Sequence, residues 1–137
     1  MSLHSTNYYN AFVEVAPDST VEKGQIPPLK GGKKTAATIQ FEMISKKPYH
    51  YTSDDVVFQV FAEKNDLTED EYAEARKHFF SKGQPCLRAS PLTKRYGWGV
   101  HYNAEGMIAI YGVETEQYHE FLTVPNLKVY RAMRSSK

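Results

Sequence analysis

The sequence predicts a single α+β domain over residues 1–137, with helices packed on a small, mostly antiparallel sheet. The patterns run in the order strand, long loop, helices, β-hairpin, short helix and final strand, so the helices are not interleaved one by one with the strands. A hairpin pattern in residues 97–112 supplies the clearest β signal. The length fits one domain that buries a sizeable core.

The N-terminal part predicts one strand and one long loop. "AFVEVA", residues 11–16, places Phe12 and Val13 at the centre of a strand. Residues 17–35 are rich in Pro and Gly, which indicates a loop. We expect flexible ends at residues 1–5 and 134–137.

Residues 36–46, "AATIQFEMISK", fit two secondary structures. Apolar residues alternate as in a strand, but they also recur at helical spacing. The composition of Ala, Gln, Glu and Met favours a helix, and Thr35 is a suitable N-cap.

The next segment predicts a helix that Ser53 caps, with two aspartates in its positively polarised first turn. Its apolar face predicts that three side chains pack inward and that Lys64 shares their side of the helix. These three are Val57, Val60 and Phe61.

"LTEDEYAEARKHFFSKG" predicts another helix. Thr68 and Glu71 have the spacing of a capping box, and Gly83 is placed to end the helix. The expected buried stripe consists of Tyr72, Ala75, Phe79 and Phe80.

The hairpin is predicted to turn at Asn103, with Gly106 in the left-handed conformation. "VETEQYHEFL" then predicts a short helix with Tyr118, Phe121 and Leu122 on one side, and "LKVYRAM" predicts a last strand.

Side chains alternate along the first hairpin strand, which gives its two faces different characters. Trp98, Val100 and Tyr102 are expected to enter the core, whereas Gly97, Gly99 and His101 point the other way. Two glycines beside His101 would leave a shallow slot into which a ligand or another backbone fits.

Cationic residues precede this slot, and guanidinium groups bind phosphate or carboxylate well. The hairpin face is therefore the predicted site for a small anionic ligand or a nucleic-acid backbone. The alternative is that a helix covers the glycines and that the arginines pair with the acidic helices. The predicted ligand-binding residues are Arg88, Lys94, Arg95, Gly97, Gly99 and His101.

A second hypothesis is an enzyme that uses Cys86 or His101, since a thiol beside a base or a cation becomes a nucleophile. The alternative is that Cys86 is a small buried hydrophobic residue. The histidines lack paired ligand spacing, so neither a metal site nor a cofactor is predicted.

"KGGKKT", residues 30–35, departs at two positions from the phosphate-binding loop of nucleotide hydrolases, and we exclude that class. Its glycines and lysines, just before a helix start, could still bind a small anion. The alternative is a solvated basic turn.

A net charge of +1 gives nucleic acid weak support as a partner. A third hypothesis is a homodimer formed through an edge strand or through the aromatic residues of "NYYNAF" and "LKVYRAM". The chain has no apolar run long enough for a membrane span. One cysteine cannot form an internal disulfide, so we expect a cytoplasmic protein.

Three long segments resemble a small, mainly microbial family known only as a domain of unknown function: "IPPLKGGKKTAATIQFEMIS", "PYHYTSDDVVFQVFAEKN" and the stretch from "KGQPCLRASP" to "VETEQY". This resemblance implies a single soluble domain and brings no activity with it. The order of helices and hairpin is also similar to that of the double-wing, YjbR-like proteins, which implies an α+β sheet domain and, by analogy only, a role in DNA binding.

Overall fold

The computed structural model describes residues 3–134, and a four-stranded mixed sheet lies at its centre. The strands are β1 Ala11–Glu14, β2 Trp98–Tyr102, β3 Ile108–Gly112 and β4 Lys128–Arg131. Their order across the sheet is β3-β2-β1-β4. The two pairings β1–β2 and β2–β3 are antiparallel, and β1–β4 is parallel. The prediction of a mostly antiparallel sheet is confirmed.

Within residues 3–134, five α-helices and one 3₁₀ turn accompany the sheet, so the α+β class is confirmed. The 3₁₀ turn, Leu87–Ala89, lies directly before the fourth helix. The helices are α1 Ala36–Lys46, α2 Ser53–Lys64, α3 Glu69–Phe79, α4 Pro91–Lys94 and α5 Glu116–Phe121.

The two faces of the sheet carry separate cores. Val13, Val100 and Tyr102 lie in the larger core with residues of α1, α2 and α4. Phe12 points to the opposite face, where it packs with Tyr118 and Phe121 of α5. Because successive residues of a strand alternate, neighbouring residues of one strand serve both cores. The predicted inward set of the hairpin strand is confirmed, since Trp98 also packs on the larger core.

The ambiguous segment is a helix, as its composition predicted, and Thr35 caps it. The Thr35 N–H donates to the hydroxyl of Thr38 at 2.7 Å, and the Thr38 N–H donates to the hydroxyl of Thr35 at 3.3 Å. This reciprocal capping satisfies two of the backbone donors that a helix start leaves free.

Ser53 does not cap α2, contrary to the prediction. Thr52 is the N-cap, and it exchanges hydrogen bonds with Asp55 at 3.0 and 3.1 Å. Ser53 is instead fully buried, and its hydroxyl lies 2.9 Å from that of Thr6. Both residues can cap a helix, and a contact from the distant N-terminal segment decides between them.

The inward face of α2 also differs from the prediction. Its buried apolar side chains are Val56, Phe58 and Ala62. The three residues that were expected to point inward are only half-buried: Val57, Val60 and Phe61. The helix packs against both α1 and α3, which rotates its buried stripe relative to the one that a single partner would require.

The capping box of α3 is confirmed, because the carboxylate of Glu71 accepts hydrogen bonds from the N–H and the hydroxyl of Thr68. These bonds stabilise the charged form and lower the pKa of Glu71. The helix ends at Phe79 rather than at Gly83, contrary to the prediction. The chain leaves the helix early because Phe80 turns into the core between α2 and α3.

The remaining elements form where they were predicted, although β1 ends at Glu14 rather than at residue 16 and β4 covers only Lys128–Arg131 of "LKVYRAM". Asn103 accepts hydrogen bonds from the N–H groups of Glu105 and Met107, and Gly106 has a φ of 81°. Tyr118 and Phe121 are the buried side chains of α5.

Residues 17–35 form no regular helix or strand beyond an isolated bridge between Lys30 and Lys33. At the chain ends, residues 1, 2 and 135–137 lie outside the described part. The N–H of His4, within the end expected to be flexible, donates to the carbonyl of Phe80 at 2.9 Å. No helix among residues 3–134 is long and apolar enough to cross a membrane.

We expect Thr52→Ala to lower the free energy of unfolding by about 1 kcal/mol, because it removes the capping of α2. Urea denaturation measures this loss. Thr20→Ala, at an exposed position, is the control. Equal midpoints for the two variants would contradict the assignment of the cap.

Candidate functional site

The slot beside the hairpin glycines is filled, which corrects the expectation of an open face. A Cβ atom on Gly99 would lie 2.7 Å from the ring of Tyr118 and still closer to the ring of Phe12. A Cβ on Gly97 would lie 2.6 Å from the carbonyl oxygen of Lys23. Helix α5, the neighbouring strand and the long loop therefore occupy the space that the missing side chains leave.

His101 belongs to a chain of hydrogen bonds on this covered face. Its Nδ1 lies 2.8 Å from the hydroxyl of Tyr49, which lies 2.8 Å from the hydroxyl of Tyr111. The imidazole stacks on Phe121 with a centroid distance of 4.2 Å. Burial lowers the pKa of His101, so the neutral ring is favoured near pH 7.

Tyr49 adopts a φ of 58°, which is rare for a bulky residue. Its N–H donates to the carbonyl of Ile108 at 2.8 Å, and its hydroxyl lies between His101 and Tyr111. Burial, and then the bond to Tyr111, raise the pKa of Tyr49. The arrangement holds the imidazole of His101 in one orientation.

Cys86 lies on the other side of the sheet. Its thiol is half-buried, 3.8 Å from the hydroxyl of Tyr8, whose ring packs on Tyr102. Tyr102 and His101 are adjacent in β2 and point to opposite faces. The structure therefore does not bring Cys86 and His101 together as nucleophile and base.

Arg88 secures the edge of the sheet. Its Nε donates to the carbonyl of Arg131 at 2.7 Å, and its guanidinium lies 5.6 Å from the ring centroid of Tyr130. Within residues 3–134, neither Arg88 nor Arg95 forms an ion pair with the acidic helices, whereas the guanidinium of Arg76 lies 2.9 Å from the carboxylate of Asp55.

The aromatic residues considered for a dimer partly pack against each other inside the chain. Tyr8, from "NYYNAF", stacks on Tyr130, from "LKVYRAM", at 4.8 Å.

Arg95 lines a cavity of about 260 Å³, which we call the basic pocket. The basic pocket lies between the C-terminal end of α4, the start of α1 and the "KGGKKT" loop. Lys94 is the last residue of α4 and does not line the pocket. Its lining consists of Lys30, Thr35, Ala36, Ala37, Pro91, Arg95 and Tyr96.

The charges of the basic pocket are all positive. Arg95 and Lys30 are exposed, and neither takes part in an ion pair within residues 3–134. The capping box of α1 uses the N–H groups of Thr35 and Thr38, and the N–H groups of Ala36 and Ala37 form no hydrogen bond within residues 3–134. The start of an α-helix adds partial positive charge at this point.

Arg95 and the "KGGKKT" loop are each recognisable in the sequence as candidates for anion binding, but their proximity is not. The connection depends on how residues 17–35 fold back along the hairpin. The indole N–H of Trp98 donates to the carbonyl of Gln25 at 2.8 Å, and the Gln25 N–H donates to the carbonyl of Tyr96 at 2.8 Å. No local sequence pattern signals these contacts.

The part of the chain that the structure describes holds no group of three or more His, Cys, Asp or Glu residues that could bind a metal ion.

We expect Gly99→Ala to destabilise the fold by about 1–3 kcal/mol, because the added methyl group overlaps the rings of Phe12 and Tyr118. Gly83→Ala is the control, since the nearest atom to its added Cβ is 3.9 Å away. The free energy of unfolding in urea measures both. An unchanged value for Gly99→Ala would mean that the slot is open after all.

We expect stability to fall as the pH is lowered from 7 to 5, in part because of His101. Its pKa is lowered in the folded protein, so the unfolded chain binds more protons in this range and is favoured by acid. His101→Gln should reduce the pH dependence of the midpoint in urea relative to wild type. The same slope in wild type and His101→Gln would contradict this role.

Comparison with the curated proteins and with the solved structures gives no match to this chain. The resemblance to the double-wing proteins therefore has no support from these comparisons. The model of a family of unknown function (DUF6157) matches residues 3–137, which is nearly the whole chain. This match confirms the resemblance to a family without an assigned activity, and the chain belongs to that family of unknown function.

Proposed function

We propose that this domain binds a small ligand through an anionic group, a phosphate or a carboxylate, in the basic pocket. The observation that carries the proposal is that Arg95 and Lys30, which are far apart in the sequence, line one cavity at the start of α1. Neither has a carboxylate partner within residues 3–134.

The groups around the pocket suit such a ligand. The guanidinium of Arg95 can donate two parallel hydrogen bonds to a phosphate or carboxylate. Lys30 adds a second positive charge, and the N–H groups of Ala36 and Ala37 add neutral donors at the positive end of a helix. Because both cations are exposed, added salt should weaken the attraction.

The size of the pocket supports a small group. Its volume of about 260 Å³ is slightly below the range of roughly 300–1,000 Å³ that is usual for drug-sized ligands. A single phosphate group is therefore a better match than a whole nucleotide. The net charge of +1 argues against a long nucleic-acid backbone, which a strongly basic surface binds best.

Only one of the predicted ligand-binding residues lines the basic pocket. Arg95 lines the pocket, and Lys94 precedes it directly in the sequence. Arg88, Gly97, Gly99 and His101 are not among its lining residues. We also propose a cytoplasmic location, which agrees with the free thiol of Cys86.

We expect Arg95→Gln to weaken the binding of inorganic phosphate about 10-fold, because it removes a charged donor from the pocket. Isothermal titration calorimetry at low and high salt measures the affinity. Arg134→Gln is the matched control, since Arg134 is exposed and does not line the pocket.

Equal affinity in Arg95→Gln and wild type would refute the proposal. A single-stranded oligonucleotide that binds much more tightly than phosphate, and loses affinity steeply with salt, would instead favour a nucleic-acid backbone as the partner.

A further inference from the structure

A second cavity, which we call the apolar groove, runs between α1, α2, the end of α3 and residues 84–91. Its volume is about 310 Å³. The lining comprises Ala36, Gln40, Val57, Val60, Phe61, Lys64, Phe79, Gln84, Pro85, Cys86, Ala89, Ser90 and Pro91.

The groove exposes apolar side chains that a closed core would cover. Val57, Val60 and Phe61 are half-buried and line it from α2, although their pattern predicts an inward-facing stripe. Two buried polar side chains at its wall are joined by a hydrogen bond, which the hydroxyl of Ser90 donates to the side-chain oxygen of Gln40. What the groove offers a ligand is therefore mainly apolar surface.

Lys64 is the one charged residue among those that line the groove, and it has no carboxylate partner within residues 3–134. It is the last residue of α2. Helices α1 and α2 are joined by only residues 47–52, a length typical of antiparallel neighbours. Lys64 lines the same groove as Ala36, the first residue of α1, and Ala36 also lines the basic pocket.

The apolar groove and the basic pocket adjoin. Ala36 and Pro91 line both cavities, one at the start of α1 and the other at the start of α4. The basic pocket is lined by Arg95 and Lys30, whereas the lining of the apolar groove is mainly apolar, with Lys64 as its one charged residue. A ligand that filled both cavities would need one anionic end and one apolar end.

We propose that the ligand is a soluble single-chain amphiphile, with its anionic head in the basic pocket and a short aliphatic tail in the apolar groove. This inference rests on the proposed function and adds the chemical class of the ligand. The head uses the donors described above. Burial of the tail would make the binding free energy more favourable, because its methylene groups and the exposed faces of Val60 and Phe61 would leave water.

Cys86 provides a means to observe the tail. Its half-buried thiol lines the apolar groove and forms no disulfide. A tail in the groove would cover the thiol and slow its alkylation by iodoacetamide, whereas inorganic phosphate in the basic pocket would leave it uncovered.

The test compares inorganic phosphate, octyl phosphate and octanol by calorimetry, each at concentrations where the amphiphile is monomeric. We expect octyl phosphate to bind at least about 10-fold more tightly than phosphate, because burial of a few methylene groups is enough for that gain. Octyl phosphate should also slow the alkylation of Cys86, and phosphate should not.

Two variants should bind octyl phosphate no more tightly than phosphate, and their affinity for phosphate should equal that of wild type. Val60→Asp places a charge in the groove, and Ala89→Leu fills it with an apolar side chain. Val129→Asp, on the exposed side of β4, is the matched control and should bind like wild type. Since Ala89→Leu adds no charge, it keeps the test decisive if Val60→Asp fails to fold.

The outcomes separate this inference from the proposed function. Equal affinity for phosphate and octyl phosphate would refute binding of the tail in the apolar groove, but it would not affect the proposal that the basic pocket binds an anion. No binding of either would overturn both proposals. If octanol bound as tightly as octyl phosphate, an anionic head would not be needed and the inference would be overturned. If the protein bound only to vesicles of anionic phospholipid, and not to octyl phosphate, a soluble ligand would be overturned.

Discussion

The pairing of β1 at the middle of the sheet is the constraint on which the rest of the structure depends. Phe12 and Val13 are both fully buried, although they point to opposite faces. Val13 joins the core under α1 and α2, and Phe12 fills the space over Gly99. A shift of one residue in this pairing would turn each side chain of β1 to the opposite face, so that Phe12 and Val13 would both leave the cores in which they pack.

The start of α1 brings the basic pocket and the apolar groove together. The capping box at Thr35 fixes the direction in which the first helical turn leaves the "KGGKKT" loop. Pro91, at the start of α4, closes the other side. Both cations of the basic pocket are exposed, and neither forms an ion pair within residues 3–134. This positive charge next to apolar surface is the basis for the proposed amphiphilic ligand.

Features that depend on neighbours in the sequence were predictable, and features that depend on distant contacts were not. The capping boxes and the turn at Asn103 follow from short spacings, so the sequence identified most helices and strands. The choice of Thr52 over Ser53 and the rotation of α2 depend on contacts with the N-terminal segment and α3. Arg95 was identifiable as a cation, but its pocket exists only because residues 17–35 fold back on the hairpin.

The parallel pairing of β1 with β4 has a consequence for the order of folding. β1 is the first of these elements to be synthesised, yet its two partners, β2 and β4, both follow helices α1 to α4 in the chain. During translation, the apolar residues 11–13 have no strand to pair with until the hairpin has left the ribosome. Helices α1 to α3 can form from local contacts in that interval, whereas the complete sheet requires β4. The domain therefore cannot complete its sheet until β4 has been synthesised, however early its helices form.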